Sequence, residues 1–224
     1  MKHIFWMAFI CCTLKVSAQD SLSKITFKKS ISINPFALLG TDLGMDKTLK
    51  ITGEYRLRKQ LALQTEAGFI FSSNYFNPQV EKRSVGFSIA PSVRLYYGKR
   101  MNNYSQVQLS YRRVTYTLYD WLQKDCVNNV PAYEQLQYFK FRKNVFDFNM
   151  ITGMVLPLTR NRWSSRWFMD VYGGLGIRYK RQGVINQPNA CYDPGFSFFG
   201  PNYDDKLLTL NIPVGIKLTY IIKK

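Results

Sequence analysis

Charged side chains recur at alternate positions in segments whose intervening positions are apolar, which is the spacing of one face of a β-strand. On this face the charged residues have Gly, Ser, Thr and Asn as neighbours. If these faces enclose one confined space, opposite charges should pair there, because an unpaired buried charge is costly. The charged residues of this polar face are Lys50, Glu54, Arg56, Glu66, Arg94, Arg112, Asp147, Asp170, Arg178 and Lys217.

Two ion pairs are predicted within this set. Asp170 and Lys217 lie at similar heights on neighbouring segments, and Glu66 and Arg94 form the second predicted pair. Such pairs could serve as a gate or a proton path. The alternative, which we favour, is that they fill a closed interior.

Histidine, the usual general base, is confined to the extreme N-terminus. The single histidine of the chain is His3, and it lies within an apolar leader. Designs that use histidine as a base, as part of a nucleophilic dyad or as a metal ligand are therefore disfavoured after leader removal. Asp204 and Asp205 are read as a solvated turn rather than as calcium ligands. We predict no catalytic residue, no metal site, no cofactor and no enzymatic activity.

The four cysteines divide into two groups. Cys11 and Cys12 lie in the leader, whereas Cys126 and Cys191 lie far apart in the remaining chain. In an oxidising compartment an even pair of this kind indicates one disulfide. We predict a Cys126–Cys191 disulfide that joins two long loops.

Eight segments show the period-two alternation of strands, bounded by Gly, Pro, Asn and charged turns. The apolar phase changes within the fifth segment, at Arg112 and Arg113, which predicts either a bulge or a rise of the strand above a membrane. The predicted segments are residues 29–38, 49–57, 61–71, 85–97, 105–119, 139–156, 167–180 and 208–220.

The distribution of polarity and connection length predicts the fold class: all-β, an eight-stranded antiparallel up-and-down transmembrane β-barrel. The connections at 58–60, 98–104 and 157–166 are short and basic, whereas those at 72–84, 120–138 and 181–206 are long. This asymmetry is typical of barrels with periplasmic turns and surface loops. A soluble lipocalin-like barrel is the alternative, but it would place its apolar face inward.

The N-terminus predicts export. Residues 1–18 combine Lys2, an apolar run and a Val-Ser-Ala end, the pattern of a cleaved signal peptide. The domains are then a signal peptide at 1–18 and an outer-membrane barrel at 19–224, with its N-terminus in the periplasm of a bacterium. The net charge of +17 would suit nucleic acid, but export disfavours that partner, and we assign the charge to anionic lipid headgroups.

The last long loop contains an aromatic cluster among Gly and Pro residues. Exposed aromatic side chains can form a contact surface for a protein or surface ligand, or can pack over the mouth of a barrel. Both interpretations stay open for Phe196, Phe198, Phe199 and Tyr203.

Short motifs at both ends of the chain carry a resemblance. They are NPFALLG at 34–40, ITGEYR at 51–56, LALQ at 61–64 and NIPVGIK at 211–217. They resemble the opening hairpin and the last strand of uncharacterised small outer-membrane β-barrel families, described as an outer-membrane protein β-barrel domain. The resemblance implies an integral outer-membrane barrel and says nearly nothing of activity.

The predicted function is structural or surface-binding, through the outer loops of a barrel with a plugged polar lumen. Its partners would be outer-membrane lipid and a protein or surface ligand at the loops. Three alternatives remain: a narrow pore for small solutes, an accessory barrel of a secretion or surface-assembly complex, and a soluble periplasmic carrier.

Overall fold

The computed structural model describes residues 28–38, 46–73, 79–98, 101–127, 130–158, 166–185, 187, 190–192 and 206–222. Strands dominate this part of the chain, and the one helix among the described residues is a single turn, so the fold is all-β. The elements are β1 Lys29–Ile33, α1 Pro35–Leu38, β2 Asp46–Arg56, β3 Leu61–Ser73, β4 Glu81–Tyr97, β5 Asn103–Lys124, β6 Tyr133–Pro157, β7 Trp167–Val184, β8 Lys206–Asn211 and β9 Val214–Ile222.

The nine strands form one antiparallel sheet that closes in a ring. Each strand from β1 to β7 pairs with the next, β7 pairs with both β8 and β9, and β9 pairs with β1. Strands β8 and β9 lie end to end along β7 in a single register, with Gly176 opposite Asn211 and Gly173 opposite Val214. They are separated at Pro213, which has no N–H group to donate to the ladder. The predicted eighth segment is therefore interrupted there.

The first predicted segment, 29–38, is wrong beyond Ile33. Asn34 Oδ1 accepts a hydrogen bond of 3.2 Å from the N–H of Ala37, and Pro35 follows Asn34 as the first helical residue. Asparagine as the N-cap and proline at the first helical position both favour a helix start. The turn α1 thus replaces strand pairing at this point of the ring.

Strands β5 and β6 form a hairpin that is longer than the sequence predicts. Their pairing runs without a register shift from Asn103 opposite Met154 to Lys124 opposite Tyr133. The prediction of a loop at 120–138 is therefore largely wrong, and no bulge occurs at Arg112 and Arg113. Arg112 still points inward, and what changes beyond it is the chemistry of the interior, from polar to apolar.

The exterior of the ring carries an apolar band. In its strands, buried inward residues alternate with exposed outward residues, and the outward residues are large and apolar. We define the apolar band by the exposed side chains Ile51, Phe69, Phe87, Ile89, Leu95, Leu109, Phe146, Phe148, Met150, Leu175 and Ile177.

The interior has three zones along the ring axis. Near the short connections, an apolar and aromatic cluster contains Tyr96, Tyr104, Ile151 and Phe168. The middle zone holds the charged residues. Beyond it lies an apolar cluster of Ile70, Val114, Tyr116, Leu118, Leu122, Phe139 and Phe141.

Candidate functional site

Arg94 on β4 is the centre of the charged zone. Its guanidinium lies 3.1 Å from a carboxylate oxygen of Glu54 on β2 and 3.1 Å from one of Asp170 on β7. Its Nε donates to Gln106 Oε1 at 3.0 Å, and the charged group stacks at 3.7 Å over the ring of Tyr104. The fork of donors on an arginine suits several acceptors at once. Arg94 therefore joins opposite walls of the ring.

Two tyrosines complete this network on the side of the short connections. The Tyr96 hydroxyl donates to Glu54 Oε1 at 2.7 Å, and the Tyr104 hydroxyl donates to Asp170 Oδ1 at 2.5 Å. Arg56 stacks on the Tyr96 ring at 3.7 Å. Gly153 provides the space for Tyr104, because a Cβ atom at this position would overlap the Tyr104 hydroxyl. Both carboxylates are thus paired and hydrogen-bonded.

Glu66 on β3 is the second acidic centre. Lys217 Nζ lies 2.7 Å and Lys50 Nζ 3.6 Å from its carboxylate oxygens, and the Thr52 hydroxyl donates to it at 3.3 Å. One carboxylate therefore faces two ammonium groups, which come from β2 and β9, the two strands that flank β1.

A third group of charges lies closer to the outer apolar cluster. Arg178 Nε is 2.7 Å from Asp147 Oδ1, which belongs to the adjacent strand, and the Ser110 hydroxyl donates to Asp147 Oδ2 at 2.8 Å. Arg112 pairs with Asp46 at 3.1 Å, and Ser73 donates to Asp46 at 2.8 Å. All ten charged residues of the predicted polar face lie on the interior side.

The structure pairs four of these charges differently from the prediction. Asp170 and Lys217 are directly opposite in the β7–β9 register, yet Asp170 binds Arg94 and Lys217 binds Glu66. The predicted pairs Asp170–Lys217 and Glu66–Arg94 are therefore wrong in partner. In a narrow closed ring, a long side chain reaches the opposite wall as easily as the neighbouring strand, so adjacency in the sheet does not select the partner.

A cavity of about 80 Å³ lies between the charged groups. Its lining includes the charged residues Lys50, Glu66, Arg94, Arg112 and Arg178. A polar cavity of this size has room for several water molecules. Its walls carry both signs of charge, so it suits water or a small ion better than an apolar ligand.

Lys143 on β6 lies three residues before Phe146 in the chain, on the outer side of the apolar band, and its side chain is buried. Its pKa is lowered from 10.5 to about 7, chiefly by burial, with the nearby Asp46 acting in the opposite direction and the cationic side chains of Arg112, Lys180 and Arg178 adding to the lowering. Desolvation disfavours the charged form of a buried ammonium. The charge of Lys143 is therefore expected to change near neutral pH.

The sequence analysis missed four interior residues. Tyr96 and Tyr104 have the same strand parity as Arg94 and Gln106, so period two alone could have placed them inside. Asp46 precedes the predicted start of the second segment. Lys143 has the same strand parity as Asp147, so period two also places it on the inward face, although the interior turns apolar at this point.

Cys126 and Cys191 are joined by a disulfide, the pairing predicted above, with 6.1 Å between their Cα atoms. Next to it, Gln123 and Cys191 form an isolated β-bridge. Tyr192 then packs on Phe139 at 4.8 Å and donates to Asp120 at 2.8 Å. The disulfide thus holds the 190–192 segment over the outer apolar cluster.

The outward face of the β5–β6 hairpin exposes an aromatic patch beyond the apolar band. Tyr119 and Tyr138 are cross-strand partners with ring centroids 4.6 Å apart, and Trp121 lies opposite Leu136. All four side chains are exposed. We call Tyr119, Trp121, Leu136 and Tyr138 the hairpin patch.

Several predictions fall on other parts of the chain. The signal peptide at 1–18 and the aromatic residues Phe196, Phe198, Phe199 and Tyr203 lie outside the described residues, as do Asp204 and Asp205. Within the described ranges, no group of three or more His, Cys, Asp or Glu side chains is placed to hold a metal ion. The helix content of these ranges includes no segment long and apolar enough to cross a membrane.

Comparisons with protein-family models, with curated proteins and with solved structures find no match to this chain. The resemblance to small outer-membrane barrel families therefore stays a prediction.

Proposed function

We propose that this chain is an integral protein of the bacterial outer membrane, an eight-stranded barrel whose polar lumen is plugged and whose outer hairpin and loops bind a partner. The observation that carries the proposal is the inverted polarity of the ring. Charged groups such as Arg94, Asp170 and Glu66 are buried, whereas Leu175 and Met150 are more than half exposed. A protein in water would expose the opposite set.

The dimensions of the ring support a membrane-spanning role. Because β8 and β9 share one line along β7, eight strand positions surround the axis. Following paired residues once around the ring from Leu218 leads to Leu208, ten residues away on the same line. Such a stagger over eight strands corresponds to a tilt of about 40°.

The height of the apolar band agrees with this tilt. On β3, apolar side chains face outward from Leu61 to Phe71, with Thr65 between them. This run covers about 33 Å of strand, or about 25 Å along the axis at a tilt of about 40°, which matches the apolar belt of outer-membrane barrels.

The charged network supports a plugged, non-enzymatic lumen. Arg94 bridges β2 and β7 across the interior, and the remaining cavity holds only a few waters. An eight-stranded ring is just wide enough for side chains to fill it. The protein therefore acts through its outer surface.

The hairpin patch supports a binding role at that surface. Trp121 and Tyr138 are 56% and 64% exposed on strands that extend beyond the apolar band. Exposed aromatic residues are enriched in binding sites for proteins and other ligands. The outer loops and this patch together form the proposed contact surface.

Extraction and electrophoresis test the proposal. The protein should stay in the membrane fraction until detergent is added, and the unboiled protein should migrate faster on a denaturing gel than the boiled protein. Recovery of folded protein in buffer without detergent would instead indicate a soluble periplasmic carrier.

A narrow pore is the second candidate, because the lumen contains a polar cavity lined by both signs of charge. Single-channel recording of purified protein in a planar bilayer separates the two functions. Discrete conductance steps would favour the pore, whereas a silent bilayer with inserted protein favours the plugged barrel.

A further inference from the structure

A row of cationic side chains crosses three neighbouring strands on the outward face, at the outer edge of the apolar band. The register places Arg113 of β5 opposite Asn144 of β6, and Asn144 opposite Arg181 of β7. Arg142 lies two residues from Asn144 on the same face of β6. Residues directly opposite on antiparallel strands have Cβ atoms about 5 Å apart, and diagonal neighbours lie about 7 Å apart. We call Arg113, Arg142, Asn144 and Arg181 the outer cationic row.

The orientation of these side chains follows from their strand neighbours. Phe141 and Lys143 are buried on either side of Arg142, so Arg142 faces outward. Val114 and Gln182 are buried next to Arg113 and Arg181, which fixes the same orientation for these two arginines. The three guanidinium groups therefore belong to one surface.

The charges of this row have no acidic counterpart in the described part of the chain. The outward positions at 111–117, 140–146 and 177–183 include no Asp or Glu, and Lys140 adds a further cation. The Nε atom of Arg142 is buried and has no hydrogen-bond partner among the described residues. A buried donor is expected to have a hydrogen-bond acceptor. A bound anion would also reduce the repulsion among the clustered cations.

An aromatic row lies immediately below the cationic one. Tyr111, Phe146 and Tyr179 are aligned on the same three strands by the same register, with ring centroids 4.8 Å and 6.4 Å apart. Tyr111 also donates to Asn144 Oδ1 at 3.1 Å, which leaves the Nδ2 group of Asn144 as a further donor. Aromatic side chains at the edge of an apolar band mark the level of lipid headgroups.

We propose that the outer cationic row binds a phosphate group carried by a lipid of the outer leaflet. Arginine forks match phosphate oxygens in a bidentate manner, and the aromatic row beneath fits the part of the same lipid between its phosphate and its acyl chains. The position at the edge of the apolar band favours a lipid phosphate over free phosphate. This inference rests on the proposed membrane-spanning function and adds a site to it.

Native mass spectrometry of the full chain in dodecyl maltoside micelles tests the site. The probe is diphosphorylated lipid A, with a neutral diacyl galactolipid in a second set of micelles. The test variant is Arg113→Gln/Arg142→Gln, and the matched control is Arg58→Gln/Lys59→Gln, which removes two exposed charges from the short β2–β3 turn. A third variant, Arg113→Lys/Arg142→Lys, keeps the charges and removes the forks.

We expect the Gln variant of the row to lose roughly tenfold in lipid A retention, as expected for the loss of charge-assisted contacts to phosphate. The Lys variant should fall between this variant and the wild type, and the control and the galactolipid should show no difference. Equal retention by row and control variants would overturn the site, and displacement of lipid A by millimolar inorganic phosphate would overturn the lipid source. A failure of the membrane proposal would be seen separately, as a folded protein that needs no detergent.

Discussion

Arg94 shows how much of the interior depends on single side chains. It contacts carboxylates from β2 and β7 and amide oxygens of Gln64 and Gln106. Because these acceptors are buried, the loss of one charge leaves its partner in a low-dielectric interior. The effect of a substitution here should therefore exceed that of any exposed charge.

We expect Asp170→Asn to destabilise the protein by about 3–5 kcal/mol, because it breaks a buried ion pair with Arg94. Asp125→Asn is the matched control, since Asp125 is exposed and has a positive φ of 49° that asparagine tolerates. Urea unfolding followed by tryptophan fluorescence in micelles measures both. If the exchange Asp170→Lys/Lys217→Asp restored stability, the pairing of Asp170 with Arg94 would be contradicted.

Lys143 predicts a pH dependence of stability. Its pKa is about 7 in the folded protein and 10.5 when unfolded, so the unfolded chain binds more protons between these values. Stability should rise as the pH increases from about 7 towards 10, because the folded protein then no longer holds a buried charge on Lys143, and this group should add no pH dependence below about pH 7, where it is charged in both states. Lys143→Met should flatten this part of the profile of unfolding free energy. An unchanged slope in the variant would show that another group is responsible.

At the scale of elements, the exposed positions of the strands should differ in their tolerance of a charge according to their height along the ring axis. Leu175 on β7 is 67% exposed within the apolar band, and Val127 is 71% exposed at the tip of the β5–β6 hairpin. The exposed fractions of these two side chains are nearly equal, but the two residues lie at different heights along the ring axis.

Leu175→Arg should destabilise the proposed transmembrane barrel by about 2–4 kcal/mol, because the proposal places this charge near the membrane midplane, away from water. Val127→Arg should change the unfolding free energy little, since this position faces water. Folding into lipid vesicles at increasing urea measures the difference. Equal sensitivity at the two positions would contradict the assignment of the apolar band to the membrane.

The disulfide fixes the 190–192 segment to the end of β5. Its two cysteines are separated by 65 residues, and closing such a loop stabilises by roughly 4 kcal/mol in the chain-entropy model. Cys126→Ser/Cys191→Ser should therefore lower the thermal midpoint, and the wild type under reductant should do the same. A non-reduced digest analysed by mass spectrometry should contain the two linked peptides. Free alkylation of both cysteines in protein taken directly from cells would contradict the pairing.

At the scale of the whole molecule, the ring encloses little open space. Arg94 reaches from β4 to both β2 and β7, and it lines the cavity of about 80 Å³. Arg94 therefore closes the charged middle zone of the proposed plug, and the two apolar clusters fill the interior on either side of it.

Arg94→Ser should enlarge the polar cavity of the proposed barrel without opening a path through it, because the variant removes the bridge between Glu54 and Asp170 while the apolar clusters on either side stay packed. The variant should therefore stay silent in a planar bilayer. Arg58→Ser, on the short turn, is the control and should stay silent. The gel mobility of the unboiled variant shows whether it is folded. Discrete conductance steps from a folded Arg94→Ser protein would mean that Arg94 alone closes the lumen.

The alternation of side chains along each strand was readable from the sequence, because period two is a local property of the backbone. It placed all ten charged residues of the polar face inside and the apolar residues of β3, β4 and β7 outside. The cysteine pairing followed from count and context. The length of the β5–β6 hairpin was underestimated. Its outer half keeps period two, but the large apolar side chains move from the outward face to the inward face.

The tertiary structure alone decided which charges meet. Closing the sheet brings β4 opposite β7, so Arg94 selects Asp170 over Glu66, and Lys217 selects Glu66 over the residue directly across the ladder. The alignment of Arg113, Asn144 and Arg181 depends likewise on register between strands. Neither the charge partners nor this alignment is encoded in any one segment, because ring closure and register join residues that are distant in the chain.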